Sequence, residues 1–314
     1  MTSDLPDLMN QFLEHLEIEK NCSKLTIRDY RHYLEVFYTW FSPTNKSIQD
    51  LDLPTVRKYR VYLAHKIDVK GRGLKKVTQN YYVIALRSFL RFLIKNDIKT
   101  LEPSKIDLPK TESRSLKFLE RDQIERLVTM PDTSKEEGIR DRTILELLFS
   151  TGLRLSELVK LNHSQINLER REFGVIGKGG KARVVFISDR AAEWIQRYLD
   201  ARTDAFKPLF IRYSGRVEED DDGEKMRLTG RSVERIVKKY VQMARLPVDA
   251  TVHTLRHTFA TDLLMNGADM RSVQEMLGHK NIGTTQIYTN ITNTQMRDVH
   301  EAFHSGNKNL RNKV

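Results

Sequence analysis

Four residues toward the C-terminus have the types and the order of a site that cleaves a phosphodiester with a tyrosine nucleophile. They are His253, Arg256, His279 and Tyr288, in the segment HTLRHTFATDLLMNGADMRSVQEMLGHKNIGTTQIYTN. Arginine binds phosphate oxygens through paired hydrogen bonds, histidine moves protons near neutral pH, and a tyrosine hydroxyl can attack phosphorus once it loses its proton. The segment therefore predicts phosphoryl-transfer chemistry.

Arg256 lies on the apolar side of the helix predicted around it. That side is marked by Leu255, Phe259, Leu263 and Leu264, which follow helical spacing. A guanidinium held there without a partner would cost on the order of several kcal/mol. The sequence therefore predicts that a negative group meets Arg256.

The first part of the chain, residues 1–107, is predicted to be a helical domain. Helical periodicity covers the segments Leu5–Lys20, Thr26–Phe41, Pro54–Ile67 and Thr78–Lys95. Thr26 is predicted to open the second helix, and Pro54 is predicted at the first position of the third, where its missing N–H is harmless.

A basic stripe follows the last of these helices. Arg87, Arg91 and Lys95 recur at helical spacing away from the apolar side, and Lys75 and Lys76 precede them. The stripe is predicted to face phosphates. A solvated helix face explains the same charges, so both interpretations stay open.

A second domain is predicted from residue 116 to residue 303, after a linker at 108–115 in a polar, proline-containing stretch. Helical patterns dominate it, and β-branched alternation predicts three short strands. These strands are Gln165–Leu168, Glu172–Ile176 and Ala182–Ile187, the last two joined by a glycine-rich turn. The predicted fold class is mainly α with a small antiparallel β-sheet.

Composition limits the class of protein. The chain has 314 residues, a formal net charge of +11 and a pI near 9.5. Such an excess favours a polyanionic partner through counterion release, although some basic proteins have no such role. A single cysteine, Cys22, excludes an intramolecular disulfide. The N-terminus is unlike a signal peptide and no apolar run reaches the roughly 18 residues of a membrane span, so we expect a cytoplasmic protein.

The acidic run EEDDDGE at 218–224 invites comparison with a calcium-binding loop. Placing Gly223 at the glycine position of an EF-hand puts Thr229 where a bidentate glutamate is required. We therefore predict an exposed acidic loop, no metal site and no cofactor.

Three segments, taken in order, closely resemble the catalytic domain of the tyrosine recombinase (phage integrase) family. They are STGLRLSEL at 150–158, VIGKGGKARVVFI at 175–187 and the segment that ends in Tyr288. The resemblance extends to the first domain, which is similar to the SAM-like core-binding domain of the family, and it is greatest for the Xer branch. Each motif alone is weak, but their order and intervals are specific.

The resemblance implies an active site of six residues with one accessory acid. The six are Arg154, Lys178, His253, Arg256, His279 and Tyr288, and the accessory acid is Glu157. The arginines and the second histidine would donate hydrogen bonds to the non-bridging phosphate oxygens. Taken singly, each residue has an ordinary explanation as a surface, turn or core side chain.

The same resemblance implies roles in proton transfer. Tyr288 would attack phosphorus to give a 3′-phosphotyrosine and a free 5′-hydroxyl, and religation would then need no ATP. His253 is the implied base for the tyrosine proton, and Lys178 is the implied acid for the leaving alkoxide. Lys181 and Arg183, next to the glycine-rich turn, are predicted to contact DNA.

The C-terminal segment has a narrow apolar stripe. Met296, Val299 and Phe303 recur at helical spacing within 292–303, and a basic tail follows at 304–314. The resemblance implies a helix that docks onto a neighbouring protomer, so that four copies join two DNA duplexes; packing within its own chain is the alternative.

The predicted function is site-specific DNA recombination through a Holliday junction, of the Xer type that resolves chromosome or plasmid dimers. Three alternatives stay open: a mobile-element integrase or resolvase with the same chemistry, a catalytically silent DNA-binding protein, and a type IB topoisomerase. The expected partner is double-stranded DNA with specific recombination sites and no membrane. A second recombinase and a septal DNA translocase are further candidate partners.

Overall fold

The structure is a computed structural model that describes residues 4–68, 71–109, 117–177, 180–215 and 222–278. The chain divides into two compact units, Met1–Arg114 and Ser115–Val314. Across the described ranges, no helix combines the length and apolar character needed to cross a membrane.

The described part of the first unit consists of α-helices around an aromatic core. The helices are α1 (Leu5–Ile18), α2 (Lys24–Phe41), α3 (Leu53–His65) and α4 (Lys76–Lys95). Phe12 contacts Phe89 with ring centroids 5.6 Å apart, and Phe37 contacts the edge of Tyr59 at 5.1 Å. Burial of such rings stabilises the helical arrangement, because aromatic side chains remove large apolar areas from water.

Helix caps correct two predicted helix starts. The Ser23 hydroxyl accepts from the Thr26 backbone N–H, so α2 starts earlier than predicted, with Ser23 as its N-cap. Asp52 caps α3 by accepting from the Thr55 N–H at 2.8 Å, which places Pro54 at the second helical position instead of the first.

The second unit packs helices around α6 and adds one hairpin. Its helices in the described ranges are α5 (Arg121–Thr129), α6 (Glu136–Thr151), α7 (Leu155–Leu158), α8 (Asp189–Ala201), α9 (Gly230–Met243), α10 (Val252–Met265) and α11 (Met270–Leu277). Strands β1 (Glu172–Ile176) and β2 (Ala182–Phe186) pair antiparallel, with Val175 opposite Arg183. The predicted fold class is confirmed.

The strand predicted at Gln165–Leu168 is wrong. A 3₁₀ turn covers His163–Gln165, and Asn167 forms only an isolated bridge to Glu172. The chain then reverses through Arg171, whose φ of +52° is left-handed, so no length remains for a third strand. The apolar alternation arises because Ile166 and Leu168 pack against the core of the unit.

A buried polar contact joins α6 to α9. The Tyr240 hydroxyl donates to a carboxylate oxygen of Asp141 at 2.9 Å, and the other oxygen accepts from the Arg140 guanidinium. Burial, with the Asp141 charge beside it, raises the pKa of Tyr240. The hydroxyl therefore stays protonated and serves as a donor.

Candidate active site

The site begins where α6 ends. Gly152 terminates α6 in the left-handed region, at φ +58°. A β-carbon at this position would lie 2.4 Å from a ring carbon of Phe259, so only glycine allows α10 to approach so closely. Two residues later, Arg154 occupies the N-cap position of the short helix α7. The local backbone thus places Arg154 between α6 and α7.

Glu157 is the acceptor at the centre of the site. Its side chain is 4% exposed, and one carboxylate oxygen accepts from Nη1 of both Arg154 and Arg183 at 2.9 Å. The other oxygen accepts from the Arg154 backbone N–H and from Arg183 Nη2, also at 2.9 Å. Burial alone would raise the pKa of Glu157, but the hydrogen bonds from Arg183 and Arg154 outweigh burial and lower it to about 2. The carboxylate is therefore ionised at neutral pH.

Arg256 is buried and tied to the ends of two helices. Its Nη1 donates to the Gly152 carbonyl and its Nη2 to the Leu277 carbonyl, each at 2.6 Å. Both carbonyls stand at helix C-termini, where unpaired oxygens carry partial negative charge. The sequence predicts a negative group at Arg256, and the two described hydrogen bonds instead join it to neutral carbonyls that carry partial negative charge.

The C-terminus of α11 binds three arginines within the described residues. The carbonyls of Met276, Leu277 and Gly278 accept from Arg183 Nε at 3.0 Å, Arg256 Nη2 at 2.6 Å and Arg154 Nη2 at 3.1 Å, respectively. Three successive orphan carbonyls of the helix end are thereby satisfied by side chains from three different elements. The next residue along the chain is the predicted catalytic residue His279.

Gly278 makes this arrangement possible. It caps α11 at φ +64°, and a β-carbon there would lie 3.2 Å from Cδ of Arg183. The missing side chain leaves room for the Arg183 stem to cross the helix end. The left-handed backbone favours glycine at this position, and the close approach of Arg183 adds to that preference.

His253 lies one helical turn before Arg256 on α10. Its side chain is exposed, next to a groove of about 210 Å³ that is also bordered by Leu155 and Lys238. The neighbouring His257 is half-buried, and burial together with the charges of His253 and Arg256 lowers its pKa. His253 is accessible to a substrate, whereas His257 is neutral at physiological pH.

Three predicted catalytic residues, Lys178, His279 and Tyr288, lie outside the described residues, as does the predicted helix at 292–303. The backbone before Lys178 is defined, because the Gly177 N–H donates to the Lys181 carbonyl at 2.8 Å in the turn between β1 and β2. Lys181 is exposed. The structure brings together Arg154, Glu157 and Arg256, with His253 on the same helix as Arg256.

The basic residues predicted on the first unit are mostly accessible. Lys75, Lys76, Arg91 and Lys95 are exposed. Arg87 is half-buried, and its Nε has no hydrogen-bond partner among the described residues. Arg87 therefore departs from the predicted exposed stripe on α4, because its side chain is half-buried.

Arg183 was predicted as a DNA contact, but its described hydrogen bonds lie inside the protein. Its side chain is 10% exposed and bonds to Glu157 and to the end of α11. The sequence contained a signal for this position, because Arg183 shares one face of β2 with the buried Val185. A charged residue on the inward side of a strand requires an internal partner.

The sequence matches two family descriptions. Residues 117–295 match the phage integrase family, and residues 9–97 match the phage integrase N-terminal SAM-like domain. A tyrosine recombinase XerD of Lacticaseibacillus casei is 36% identical over 304 residues, which cover 95% of this chain and 98% of that protein.

Two solved structures show the same fold. The Tn1549 transposon integrase in complex with transposon right end DNA has a TM-score of 0.72 and 17% identity, covering 93% of this chain and 99% of that one. The XerH site-specific recombinase bound to a palindromic difH substrate has a TM-score of 0.69 and 22% identity, covering 95% of this chain and 85% of that one. The chain therefore belongs to the phage integrase family of tyrosine recombinases, and the resemblance stated from its sequence is confirmed.

Proposed function

We propose that this protein is a site-specific DNA recombinase of the Xer type, acting in the cytoplasm to resolve chromosome or plasmid dimers. The observation that carries the proposal is the convergence of Arg154 and Arg256 on the C-terminus of α11, directly before the segment with His279 and Tyr288. The similarity to XerD proteins along nearly the whole chain supports the Xer type.

The arginines stabilise the charge on the scissile phosphate. A phosphodiester repels nucleophiles because its oxygens are negative, and the transition state concentrates that charge. Arg154 is the accessible member of the pair, since its side chain is 26% exposed while Arg256 is buried. Among the described residues Arg154 makes two side-chain hydrogen bonds, so further N–H groups of its fork remain for phosphate oxygens. His279 adds a third donor.

Proton transfer completes the reaction. An ordinary tyrosine has a pKa near 10, so Tyr288 needs a base, and His253 is exposed on the first turn of α10 to accept the proton. Lys178, which lies between β1 and β2 in the sequence, protonates the departing 5′-oxygen. The phosphotyrosine keeps the energy of the broken bond, and attack by a 5′-hydroxyl of the partner duplex rejoins the strands.

The assembly is proposed as four protomers on two duplexes, linked by residues 292–303. Unit 2 carries an apolar surface suited to the stripe of Met296, Val299 and Phe303. A groove of about 260 Å³ lies between β2 and the helices α10 and α11, and the exposed Phe186 and Met276 line it. A segment from a neighbouring protomer would cover this surface.

Deletion of the chain from Thr292 onward is expected to weaken the association of two DNA-bound complexes at least tenfold while changing single-site binding less than about threefold. Burial of each apolar side chain of the stripe contributes roughly 1.5–3 kcal/mol to docking between protomers. Binding of one protomer to a single DNA site does not use this docking energy. Gel-shift titration with one or two sites measures both quantities. The acceptor-side variant Phe186→Ser should reproduce the effect, and equal losses in the two assays would contradict docking between protomers.

The biological role is tested by recovery of the target site. Protein incubated with fragmented genomic DNA should select one short inverted-repeat site on the chromosome or a plasmid, with staggered cleavage positions and protein joined to the 3′-phosphates. Sites confined to the ends of a mobile element would favour the integrase alternative. Selection without any cleavage would indicate a silent DNA-binding protein.

A further inference from the structure

Arg183 touches the elements that deliver the predicted catalytic residues of the second unit. Through Glu157 it reaches Arg154 on α7, and through the Met276 carbonyl it holds the end of α11, which precedes His279. Its own strand begins after the turn that contains Lys178. The Arg183 guanidinium also lies near Gly177, the residue before Lys178, because a β-carbon added to that glycine would be 3.6 Å from Nη1.

The geometry uses all three nitrogens of the Arg183 guanidinium. Nη1 and Nη2 bind the two oxygens of Glu157 as a paired fork, and Nε donates to a backbone oxygen. A lysine in this position would supply one point charge and could not reproduce the planar fork. With 10% of its side chain exposed, Arg183 has little surface for a DNA phosphate.

We propose that Arg183 is a positioning residue for the strand-cleavage reaction, holding Glu157 and the C-terminus of α11 at a fixed separation. Glu157 in turn fixes the guanidinium of Arg154, so the phosphate-binding fork and the start of the nucleophile segment are aligned by one side chain. The proposal rests on the proposed recombinase function. It replaces the direct DNA contact that the sequence predicted for Arg183.

Two substitutions separate positioning from DNA contact. Arg183→Lys keeps the positive charge and loses the paired hydrogen bonds to Glu157. Arg183→Gln loses both the charge and the paired hydrogen bonds. Positioning predicts that both variants bind a single site within about threefold of wild type, with unchanged salt dependence, and cleave a nicked suicide substrate about 30–100-fold more slowly at saturating DNA. A phosphate contact predicts instead that Lys preserves binding and cleavage, while Gln weakens binding and reduces the salt slope by about 0.9.

Lys181→Gln is the comparison variant on the same strand. Lys181 is exposed at the end of the turn, and its loss should weaken DNA binding and lower the salt slope. The opposite patterns of Lys181 and Arg183 would distinguish the two roles within one protein.

A merely structural role for Arg183 is tested by a double-mutant cycle with Glu157. Arg183→Gln leaves a buried carboxylate with fewer donors and can reduce stability, whereas the double variant with Glu157→Gln removes that charge. All cleavage rates are measured at least about 10 °C below the unfolding midpoint of each variant. Positioning through Glu157 predicts that the double variant is as slow as the slower single variant.

Three outcomes overturn the proposal while leaving the recombinase function intact, provided that wild type cleaves the substrate. In the first, folded Arg183→Lys and Arg183→Gln both cleave at the wild-type rate. In the second, Arg183→Lys preserves DNA binding and cleavage and Arg183→Gln does not. In the third, the rate loss of the double variant equals the product of the losses of the two single variants. If wild type itself forms no covalent product on its selected site, the proposed function fails first.

Discussion

The Tyr288→Phe variant is expected to form no covalent adduct on a nicked suicide substrate on which wild-type protein becomes trapped. The substitution removes only the hydroxyl oxygen that we propose attacks phosphorus and leaves the aromatic ring of the side chain unchanged. Loss of a nucleophile reduces turnover by roughly 10⁴-fold or more, which places the variant below detection. Denaturing gels with labelled DNA measure the adduct, and proteolysis with mass spectrometry locates the modified peptide.

Tyr240→Phe is the matched control for this experiment. Its hydroxyl donates to the carboxylate of Asp141 in the buried contact between α6 and α9, so its loss should lower the free energy of unfolding by roughly 1.5–3 kcal/mol. Adduct formation should persist at wild-type level in the folded protein. Trapping of Tyr288→Phe, or equal loss in both variants, would contradict the assignment of Tyr288 as the nucleophile.

The second large effect is expected at Arg256. Arg256→Ala should slow cleavage by at least about 10³-fold, because it removes two charged donors from the transition state. It should also lower stability by roughly 2–5 kcal/mol, since the buried carbonyls of Gly152 and Leu277 lose a partner. Single-turnover cleavage and chemical unfolding measure the two losses separately.

Arg256→Lys separates chemistry from folding at this position. It keeps a positive charge and most of the side-chain volume, so stability should recover in large part while cleavage stays about 10²-fold below wild type. Arg126→Ala, an exposed arginine paired with Asp122 on α5, is the control and should change stability by less than about 0.5 kcal/mol. Cleavage by Arg256→Lys at the wild-type rate would contradict the need for the paired hydrogen bonds of an arginine.

Much of the fold was predictable from sequence because the helices obey local rules. Apolar periodicity located the helices of the first unit, and a glycine-rich turn between β-branched segments located the hairpin. The errors arose where side-chain caps and turns compete with periodicity. Ser23 moved the start of α2, and the reversal at Arg171 prevented the strand predicted at 165–168.

Of the predicted site, the described structure brings together Arg154, Glu157 and Arg256, and the hydrogen bonds that connect them could not be predicted from sequence. The position of Arg256 on an apolar helix face indicated a required partner, but sequence could not show that helix-end carbonyls would supply it. Those oxygens belong to α6 and α11, which are distant in the chain and meet only after folding. The role of Arg183 was hidden for the same reason, since its partners Glu157 and Met276 lie on other elements.

The anchoring of Arg256 changes what the presence of this arginine means in related chains. Because its side chain joins the ends of α6 and α11, selection for a stable fold would preserve it after the loss of catalysis. In comparisons among relatives, the presence of this buried arginine therefore reports on the integrity of the domain and is not by itself evidence of activity.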